Sequence, residues 1–445
     1  MFKSNQIRAI SFGVVTNITA GLALLTSPSF AGNISQSQMI KDITYLASDE
    51  LKGRESFSPE IDIAANYISQ RFSNMGLKTF NGLPTFKQTF NITRIKPLNV
   101  SASINGKSIE NNNVAIASTM KTVTWNNPNQ VKTHLLGKKD DFRKILRKIN
   151  NEGGQNLILV NKAHHDIFNR YQQFFNKGLT KLSIDHQGAI VLVLTNATSV
   201  EQVNIQAQTS ISTQSLSNVI ATLPGKSKSD EVVMFSAHYD HLGTSPNGKE
   251  IYNGADDDAS GTTAVINLAE HFVKQNNNER TLMFSAFTAE EIGGYGSRYL
   301  SQQLNPDNIV TMINIEMIGK PSKFGAGTLW MTGMERSNLG LLLNKSLASH
   351  NRQVYKDPYP EQGLFYRSDN ATLARLGVPA HSFSSTQLDK DQHYHQTTDD
   401  INSLDLNSMH NVIELLSIAS EDLVNGKITP TRVDVSKVEG HGKIY

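Results

Sequence analysis

Acidic and histidine side chains follow three strand-like apolar runs of this sequence. The run EVVMFSA is followed by His238 and Asp240, the run TLMFSAF by Glu290 and Glu291, and the run NIVTMINI by Glu316. Adjacent carboxylates repel each other unless a cation or a proton shares their site. The pair of glutamates therefore predicts a bound cation or a shared proton.

Two polar segments add residues of the same types. The segment YNGADDDASG places three successive aspartates, Asp256 to Asp258, before a helix pattern, and DKDQHYHQTTDD supplies His393 and His395. Capping of a helix N-terminus explains one acid, but three in a row are tolerated where divalent ions neutralise their charge. We interpret His241, Asp256 and Asp258 either as groups that support metal ligands or as capping groups.

Glu316 is the most informative of these acids because it interrupts an otherwise apolar run. A carboxylate in such a run rarely stays buried without pairing or coordinating something. The chain contains no cysteine, so disulfides and thiolate metal sites are excluded and any metal ligands must be histidine or oxygen donors. Together the acids and histidines predict a two-metal site of carboxylates and imidazoles.

Alternating strands and helices must position these side chains. From Ser215 onward, strand-length runs rich in β-branched residues alternate with helix patterns such as SGTTAVINLAEHFV. This alternation predicts an α/β fold with a mostly parallel, mixed sheet flanked by helices. Ligands of such sheets collect at the carboxyl ends of the strands. On extended backbone, His238 and Asp240 project to the same side, so Asp240 can accept a hydrogen bond from one imidazole nitrogen while the other faces a metal.

The length of 445 residues allows two domains or one large domain with an insertion. The region 100–214 mixes β-like runs with a charged helix pattern, and its KAHHD segment, with His164 and His165, is typical of a solvated loop. The predicted division is a signal peptide at 1–31, an N-terminal helical part of the catalytic domain at 32–99, an inserted smaller domain at 100–214, a catalytic core at 215–427 and a C-terminal tail at 428–445.

The charge balance and the N-terminus bear on location and partners. With 42 basic and 40 acidic residues, the chain has no overall field that would favour nucleic acid or an anionic membrane. Lys3 and Arg8 precede a mostly apolar stretch that ends in a small-residue cleavage pattern at Ala31. We expect a signal peptide rather than a membrane anchor, because Asn17 interrupts the stretch. The mature chain is expected to be exported, periplasmic or extracellular, without stable membrane insertion.

The ordered segments HYDHLG, GADDDASG, FTAEEIGGYGS, NIEMIG, RSDNATLARLGVP and HYHQTTDD resemble the zinc-dependent aminopeptidases of the M28 peptidase family, secreted bacterial members in particular. The resemblance covers about 215–405 and extends to the N-terminal YLASDELKGRES. It implies the zinc-dependent exopeptidase fold, which is phosphorylase/hydrolase-like, two Zn²⁺ per chain and peptide substrates that lose an N-terminal residue. The region 100–214 would then be an inserted domain with a loose likeness to protease-associated domains.

The resemblance also implies a role for each matching ligand position. His238 would bind one zinc, Asp257 would bridge both, and Glu316 would complete the first site. Glu291 and His395 would complete the second site.

The resemblance implies two further roles in the reaction. Glu290 would be the general base, and Asp240 would orient the histidine ligand. Tyr366 in FYRSD is the candidate hydroxyl for the oxyanion, although the tyrosine of the family does not align with it. Asn370 stands where these enzymes commonly have histidine, and His393 stands where an aspartate often precedes the YH pair. Neither departure changes a ligand.

Glu316 is the departure that affects function, because the aminopeptidases of the family usually have aspartate there. A glutamate still coordinates zinc, but its extra methylene shifts the ion. The substrate class is therefore less secure than metal binding. A glutaminyl-cyclase-like or carboxypeptidase-like relative, or a non-catalytic member of the family, remains an alternative to an aminopeptidase.

Overall fold

The computed structural model of the protein describes residues 34–439. The predicted signal peptide therefore lies outside the described residues, as does the end of the predicted C-terminal tail. Within 34–439, none of the helices combines the length and the apolar character that a membrane crossing requires.

The described residues form strands and α-helices in the following order along the chain. The strands are β1 Lys78–Thr79, β2 Lys87–Ile104, β3 Lys107–Ile109, β4 Val114–Ser118, β5 Thr122–Trp125, β6 Lys132–Leu136, β7 Gln155–Val160, β8 Leu179–Lys181, β9 Ala189–Leu194, β10 Val203–Leu223, β11 Lys228–His238, β12 Gly243–Thr244, β13 Ile251–Tyr252, β14 Arg280–Phe287, β15 Ile309–Ile315, β16 Leu329–Met331, β17 Val354–Lys356 and β18 Ala380–Ser384. The helices are α1 Gln36–Leu46, α2 Pro59–Asn74, α3 Phe142–Glu152, α4 His165–Lys177, α5 Gly261–Gln275, α6 Tyr295–Ser301, α7 Leu339–Leu347, α8 Asn370–Ala374 and α9 Leu406–Val424.

A large mixed sheet forms the centre of the fold, with the strand order β17-β16-β18-β15-β11-β14-β10-β2-β3. Its four middle strands β18, β15, β11 and β14 are mutually parallel, while β10 and β16 pair antiparallel with this set. The fold prediction of a mostly parallel, mixed sheet flanked by helices is confirmed. The parallel strands carry their carboxyl ends at one edge of the sheet, where ligands of α/β folds bind.

Both faces of this sheet are covered at its parallel strands, which explains why these strands are mostly apolar. Along β11, Val233 and Phe235 join a core with residues of α1, α2, α5, α7 and α9. The intervening Met234 joins a second core with residues of α6 and α8, on the opposite face. The strand alternation of period two thus fills two cores, one on each side of the sheet.

The inserted part has a separate four-stranded sheet with the order β4-β9-β7-β6. Its strands β6, β7 and β9 are parallel, and α3 and α4 supply apolar residues to one of its two cores. The long strands β2 and β10 pair along nearly their whole length and connect this part to the central sheet. The boundaries expected at 100 and 214 fall inside these two strands, and the expected helical part at 32–99 already turns into β2 at Lys87.

Candidate metal centre

The sequence-predicted acids and histidines lie together at the carboxyl ends of the parallel strands. His238 is the last residue of β11, Glu316 follows β15 directly, and Glu291 lies four residues beyond the end of β14. Asp257 precedes α5, and His395 lies in the loop after β18. One parallel sheet thus brings residues from five separate segments to one place.

Two clusters share Asp257 between them. In the first, His238 Nε2 lies 3.2 Å from Asp257 Oδ1 and 3.3 Å from Glu316 Oε1. In the second, His395 Nε2 lies 3.1 Å from Asp257 Oδ2 and 3.3 Å from Glu291 Oε2. The two carboxylate oxygens of Asp257 therefore face different clusters, as a bridging ligand requires.

The spacing of these atoms fits divalent metal ions. Zinc bonds to nitrogen and oxygen are about 2.0–2.2 Å long, so ligand atoms of a tetrahedral site lie about 3.3–3.6 Å apart. The four distances of 3.1–3.3 Å are close to that spacing. His238 is 1% exposed and Asp257 is 3% exposed, so these two side chains are withdrawn from water. The donor set of imidazoles and carboxylates suits zinc.

The charges at the site point the same way. Burial opposes the proton on each imidazole, yet the neighbouring carboxylates raise the pKa of His395 to about 10 and the pKa of His238 well above its ordinary value. Burial also works to raise the pKa of Asp257, but the hydrogen bonds from both imidazoles hold it well below its ordinary value. The carboxylates thus attract positive charge, here protons, at the positions where cations would sit.

His241 is an additional candidate at the second cluster. Its Nδ1 lies 2.8 Å from Glu291 Oε1 and 3.9 Å from Asp257 Oδ2, and the side chain is buried. Among residues 34–439, neither ring nitrogen has an aligned hydrogen-bond partner, and Glu291 Oε1 has none either. The sequence allowed two interpretations of His241, as a group that supports metal ligands or as a capping group. Its position beside Glu291 favours the first interpretation.

Asp240 differs from the sequence prediction. His238 Nδ1 donates to the backbone carbonyl of Asp240 at 3.0 Å, whereas the nearest carboxylate oxygen of Asp240 is 3.7 Å away. The carboxylate accepts instead from the backbone N–H of Glu290 at 3.1 Å and of Glu291 at 3.4 Å, and from Ser56 Oγ at 3.0 Å. The expected side-chain contact fails because β11 ends at His238, so the strand alternation does not continue to residue 240. Asp240 orients the histidine through its backbone and the glutamate pair through its side chain.

Asp258 ties together three of the segments that carry the site. Its carboxylate accepts from the backbone N–H of His238 at 3.3 Å, of Gly261 at 3.0 Å and of Met317 at 3.0 Å. The bond to Gly261 caps the start of α5. The two interpretations of this acid, support and capping, therefore both apply.

Asp256 belongs to a second group of buried acids around Lys320. Lys320 Nζ lies 2.9 Å from Asp391, 3.4 Å from Asp256 and 3.8 Å from Asp399. Asp399 in turn accepts from the backbone N–H groups of Asp256 and Asp257. This group links the loop of the bridging aspartate to the loop that carries His395. Sequence analysis did not find it, because the lysine and its partners lie far apart in the chain.

Arg54 is another residue that sequence analysis missed. It is completely buried and donates to four backbone carbonyls, with Nε bound to Tyr239 O at 2.8 Å and Nη2 to Gly254 O at 2.9 Å. Its Nη1 donates to Leu46 O at 2.5 Å and Asn253 O at 2.6 Å. Arg54 thereby fixes the backbone next to His238 and ahead of the aspartate triplet. A buried arginine in a loop has no local sequence signal of this kind.

Glu290 and the candidate tyrosine line a cavity of about 330 Å³ that opens at the second cluster. Burial raises the pKa of Glu290 well above its ordinary value, and the nearby charges of Asp369 and Glu316 add to the rise. The hydroxyl of Tyr366 accepts from the backbone N–H of Glu439 at 3.4 Å. Tyr394 is closer to the ligands, since its ring stacks on His395 at 3.9 Å between centroids.

A second cavity of about 330 Å³ opens at the first cluster. Glu316, Trp330, Leu364 and Leu388 contribute to its wall. Tyr394 lines both cavities, so they meet beside the metal centre.

Comparisons with known proteins identify a family that part of this chain matches. Residues 218–419 match the model of peptidase family M28. A probable leucine aminopeptidase of Arthroderma otae is 29% identical over 201 residues, which are 43% of this chain and 53% of the relative. A probable zinc metalloprotease of Pyrenophora tritici-repentis is 36% identical over 107 residues, 23% of this chain and 22% of the relative. The chain thus spans about half the length of the first relative and about a fifth of the second.

The fold has solved counterparts over nearly the whole chain. A zinc aminopeptidase from Bacillus subtilis superposes with a TM-score of 0.55, covering 93% of this chain and 99% of its own, at 16% identity. This likeness shows the fold, and the family match covers the segments that carry the candidate ligands. Residues 218–419 belong to peptidase family M28.

Proposed function

We propose that the protein is a zinc-dependent aminopeptidase that removes N-terminal residues from peptides with two zinc ions per chain. The observation that carries this proposal is the position of Asp257 between two clusters, with Glu290 beside them. The names of the relatives, a probable leucine aminopeptidase and a probable zinc metalloprotease, support the same activity and metal.

The protein's own groups divide the work of the reaction. A bound zinc ion would lower the pKa of a water molecule and polarise the carbonyl group of the substrate. His238, Asp257 and Glu316 would hold one ion, and Glu291 and His395 would complete the other site together with Asp257. The ligands leave room for substrate because the two cavities open at the clusters.

Glu290 is the proposed general base. It lies next to a ligand in sequence but takes no part in the close contacts of either cluster, so its carboxylate is available for a proton. Its place in the cavity beside the proposed ligands suits a group that takes a proton from water and returns it to the leaving amine. Tyr394 and Tyr366 both line the cavity of Glu290 and are the candidate hydroxyls for the oxyanion.

We also propose that the reaction takes place outside the cytoplasm. The support is the N-terminal pattern of Lys3 and Arg8, an apolar stretch and Ala31. Expression of the whole chain in a bacterial host, followed by N-terminal sequencing of the exported fraction, tests this proposal. A chain that stays cytoplasmic with an intact N-terminus would refute it.

The test of the activity uses purified protein and a panel of amino-acid p-nitroanilides. We expect hydrolysis that is abolished by chelator and restored by zinc, with two zinc equivalents per chain by elemental analysis. Peptides with N-terminal glutamine and with C-terminal glutamate belong in the same panel, because Glu316 raised the cyclase and carboxypeptidase alternatives. Turnover of those peptides without turnover of any anilide would overturn the aminopeptidase assignment.

A further inference from the structure

The cavity that contains Glu290 is unusually rich in arginine. Arg298, Arg367 and Arg375 all contribute to its wall, together with Glu290, Glu291 and His395. Arg298 lies at the end of α6 and Arg375 directly after α8, so two different helices bring guanidinium groups to one cavity. The cavity therefore offers several cationic forks next to the proposed general base.

These three arginines have no acidic partner within the described residues. Arg71 pairs with Asp42 at 2.9 Å and Arg280 pairs with Glu231 at 2.6 Å, whereas none of the cavity arginines forms an ion pair among residues 34–439. Positive charges that converge without a counter-ion favour binding of an anion.

Two of the guanidinium groups are instead held by aromatic rings. Arg298 lies over the ring of Tyr295 at 5.3 Å, and its buried Nε has no hydrogen-bond partner in the described part of the chain. Arg375 lies over Tyr366 at 6.0 Å and donates from Nε to the carbonyl of Glu439 at 2.8 Å. Such stacking orients a guanidinium while leaving its other N–H groups free to donate. Burial lowers the pKa of Arg375, and the nearby charge of Arg298 lowers it further, so the two side chains lie close together.

The position of Glu290 tells which part of a substrate this cavity would receive. The group that protonates the leaving amine must face that amine, and Glu290 lines the arginine cavity but not the cavity of Trp330. The arginine cavity therefore lies on the leaving-group side of the scissile bond. The other cavity is left for the N-terminal side chain.

We propose that the arginine cavity binds a carboxylate on the leaving-group side of the substrate. The inference rests on the proposed function, because it assigns the side of the bond from the role of Glu290. An arginine fork matches a carboxylate in a bidentate manner, so the cavity would select peptides by charge. The carboxylate comes either from the C-terminus of a dipeptide or from an acidic side chain in the second residue.

The experiment compares substrates that differ in that one charge. The steady-state kcat/KM is measured for Leu-Gly against Leu-Gly-amide, and for Leu-Asp-amide against Leu-Asn-amide. We expect the charged member of at least one pair to be better by about tenfold or more, the size of a charge-assisted hydrogen bond. A preference in the first pair identifies the C-terminal carboxylate, and a preference in the second identifies the side chain. Equal values within both pairs would overturn the inference.

Two variants locate the preference. Arg298→Gln and Arg375→Gln are each expected to bring the ratio of charged to uncharged substrate towards one. Arg170→Gln removes an equal charge from an exposed position on α4 and is expected to keep the wild-type ratio. Thermal melting shows which variants are folded. Loss of the preference in one folded variant is enough to support the inference. A preference that persists in a folded variant of both arginines would place the carboxylate elsewhere and overturn the inference.

A binding measurement separates this inference from the proposed activity. Leucine p-nitroanilide has no carboxylate, so failure of the wild type to hydrolyse it, or any peptide, contradicts the aminopeptidase assignment and not the arginine cavity. Calorimetric binding of Leu-Gly and Leu-Gly-amide to zinc-loaded Glu290→Gln then decides, with about tenfold tighter binding of the acid expected. Equal affinities would refute the carboxylate site whatever the activity.

Discussion

The central sheet and the inserted sheet of this protein are built on the same principles but differ in what they bury. Both have parallel apolar strands, β18-β15-β11-β14 in one and β9-β7-β6 in the other, and both pack helices against them. The buried polar side chains of the insert, 105–202, are only Ser118, Thr119 and Asn156 among the described residues. The rest of the described chain buries many ionisable side chains: Asp42, Arg54, His238, Asp240, His241, Asp256, Asp257, Asp258, His271, Arg280, Asp369, His381 and Asp399.

The exits of the strands show the same contrast. Strand β7 of the insert leads into Asn161, whose side chain accepts from the N–H of Ala163 and starts an ordinary turn. Strand β11 of the central sheet ends at His238 and β15 leads into Glu316, and both side chains lie in one cluster with Asp257. A parallel sheet thus provides a place for ligands, but only buried charge at its strand exits makes that place a site. The fold alone does not assign the chemistry.

Replacing the proposed base gives the largest expected difference between the two regions. In Glu290→Gln we expect kcat for an anilide substrate to fall by about 10²–10⁴-fold, because no carboxylate remains to move the proton. Zinc content and melting temperature should stay near those of the wild type, since Glu290 is not among the close contacts of the clusters.

Glu201→Gln is the matched control for that loss, since it changes an exposed glutamate of the insert in the same way. Its kcat is expected to equal that of the wild type. Full activity of Glu290→Gln would exclude Glu290 as the general base. The central sheet and the insert would then not differ in their tolerance of a glutamate replacement.

Arg54 links the N-terminal helices to the metal centre, and its loss should cost stability as well as metal affinity. Arg54→Met leaves four backbone carbonyls without their donor, which corresponds to about 4 kcal/mol of unfolding free energy at a typical value per bond. Zinc affinity is expected to fall by about tenfold, because Tyr239 and Gly254 lose their fixed backbone positions. Urea denaturation and zinc titration measure the two effects.

The control for Arg54→Met is Arg170→Met, in which the same side chain is replaced on the surface of the insert. Its unfolding free energy should change by less than about 0.5 kcal/mol. Equal losses of unfolding free energy in the two variants would show that the four carbonyl contacts of Arg54 do not stabilise the fold.

The sequence predicted the central fold and the meeting of the site residues because their signals are local. A buried strand is an apolar run, and His238 or Glu316 at its end is visible within ten residues. Parallel packing then brings the strand ends together without further information. The roles of these residues as metal ligands stay predictions that zinc analysis of variants has to test.

The parts that sequence analysis missed depend on distant backbone. Three of the four carbonyls that Arg54 binds lie 185 to 200 positions later in the chain, and no local pattern marks such partners. The carboxylate of Asp240 binds N–H groups some 50 positions away, a contact that decides its role. The boundaries predicted at 100 and 214 fall inside β2 and β10, because these strands continue through polar, Asn- and Thr-rich sequence that contains no break.

Buried His381 predicts a pH dependence of stability that belongs to the central sheet. Its Nδ1 donates to the carbonyl of Thr332 at 2.8 Å, and Ser337 Oγ lies 2.8 Å from Nε2, so the neutral ring satisfies both neighbours. Burial lowers the pKa of His381 from 6.5 to about 4. The unfolded chain therefore binds the extra proton first, and stability is lost as the pH falls from 6.5 towards 4.

The expected loss through His381 is about 3 kcal/mol over that interval, from the size of the shift. Urea denaturation at pH 7, 6 and 5 should show a steeper fall for the wild type than for His381→Asn, whose side chain does not titrate. Parallel pH profiles for the two proteins would contradict this origin of the acid sensitivity.

The smallest expected effects come from the adjacent histidines of the insert. His165 is 62% exposed and hydrogen-bonds to the neighbouring Asp166 and Asn169, while His164 Nε2 donates to the carbonyl of Gly137. Surface groups with such contacts contribute little, so His164→Ala and His165→Ala should each change the unfolding free energy by less than about 0.5 kcal/mol. Zinc content should stay unchanged, because both clusters of metal-binding type in the described part of the chain lie in the central sheet. Loss of a zinc equivalent from either variant would show that the insert also binds a metal. Buried charge at strand exits would then no longer distinguish the central sheet from the inserted sheet.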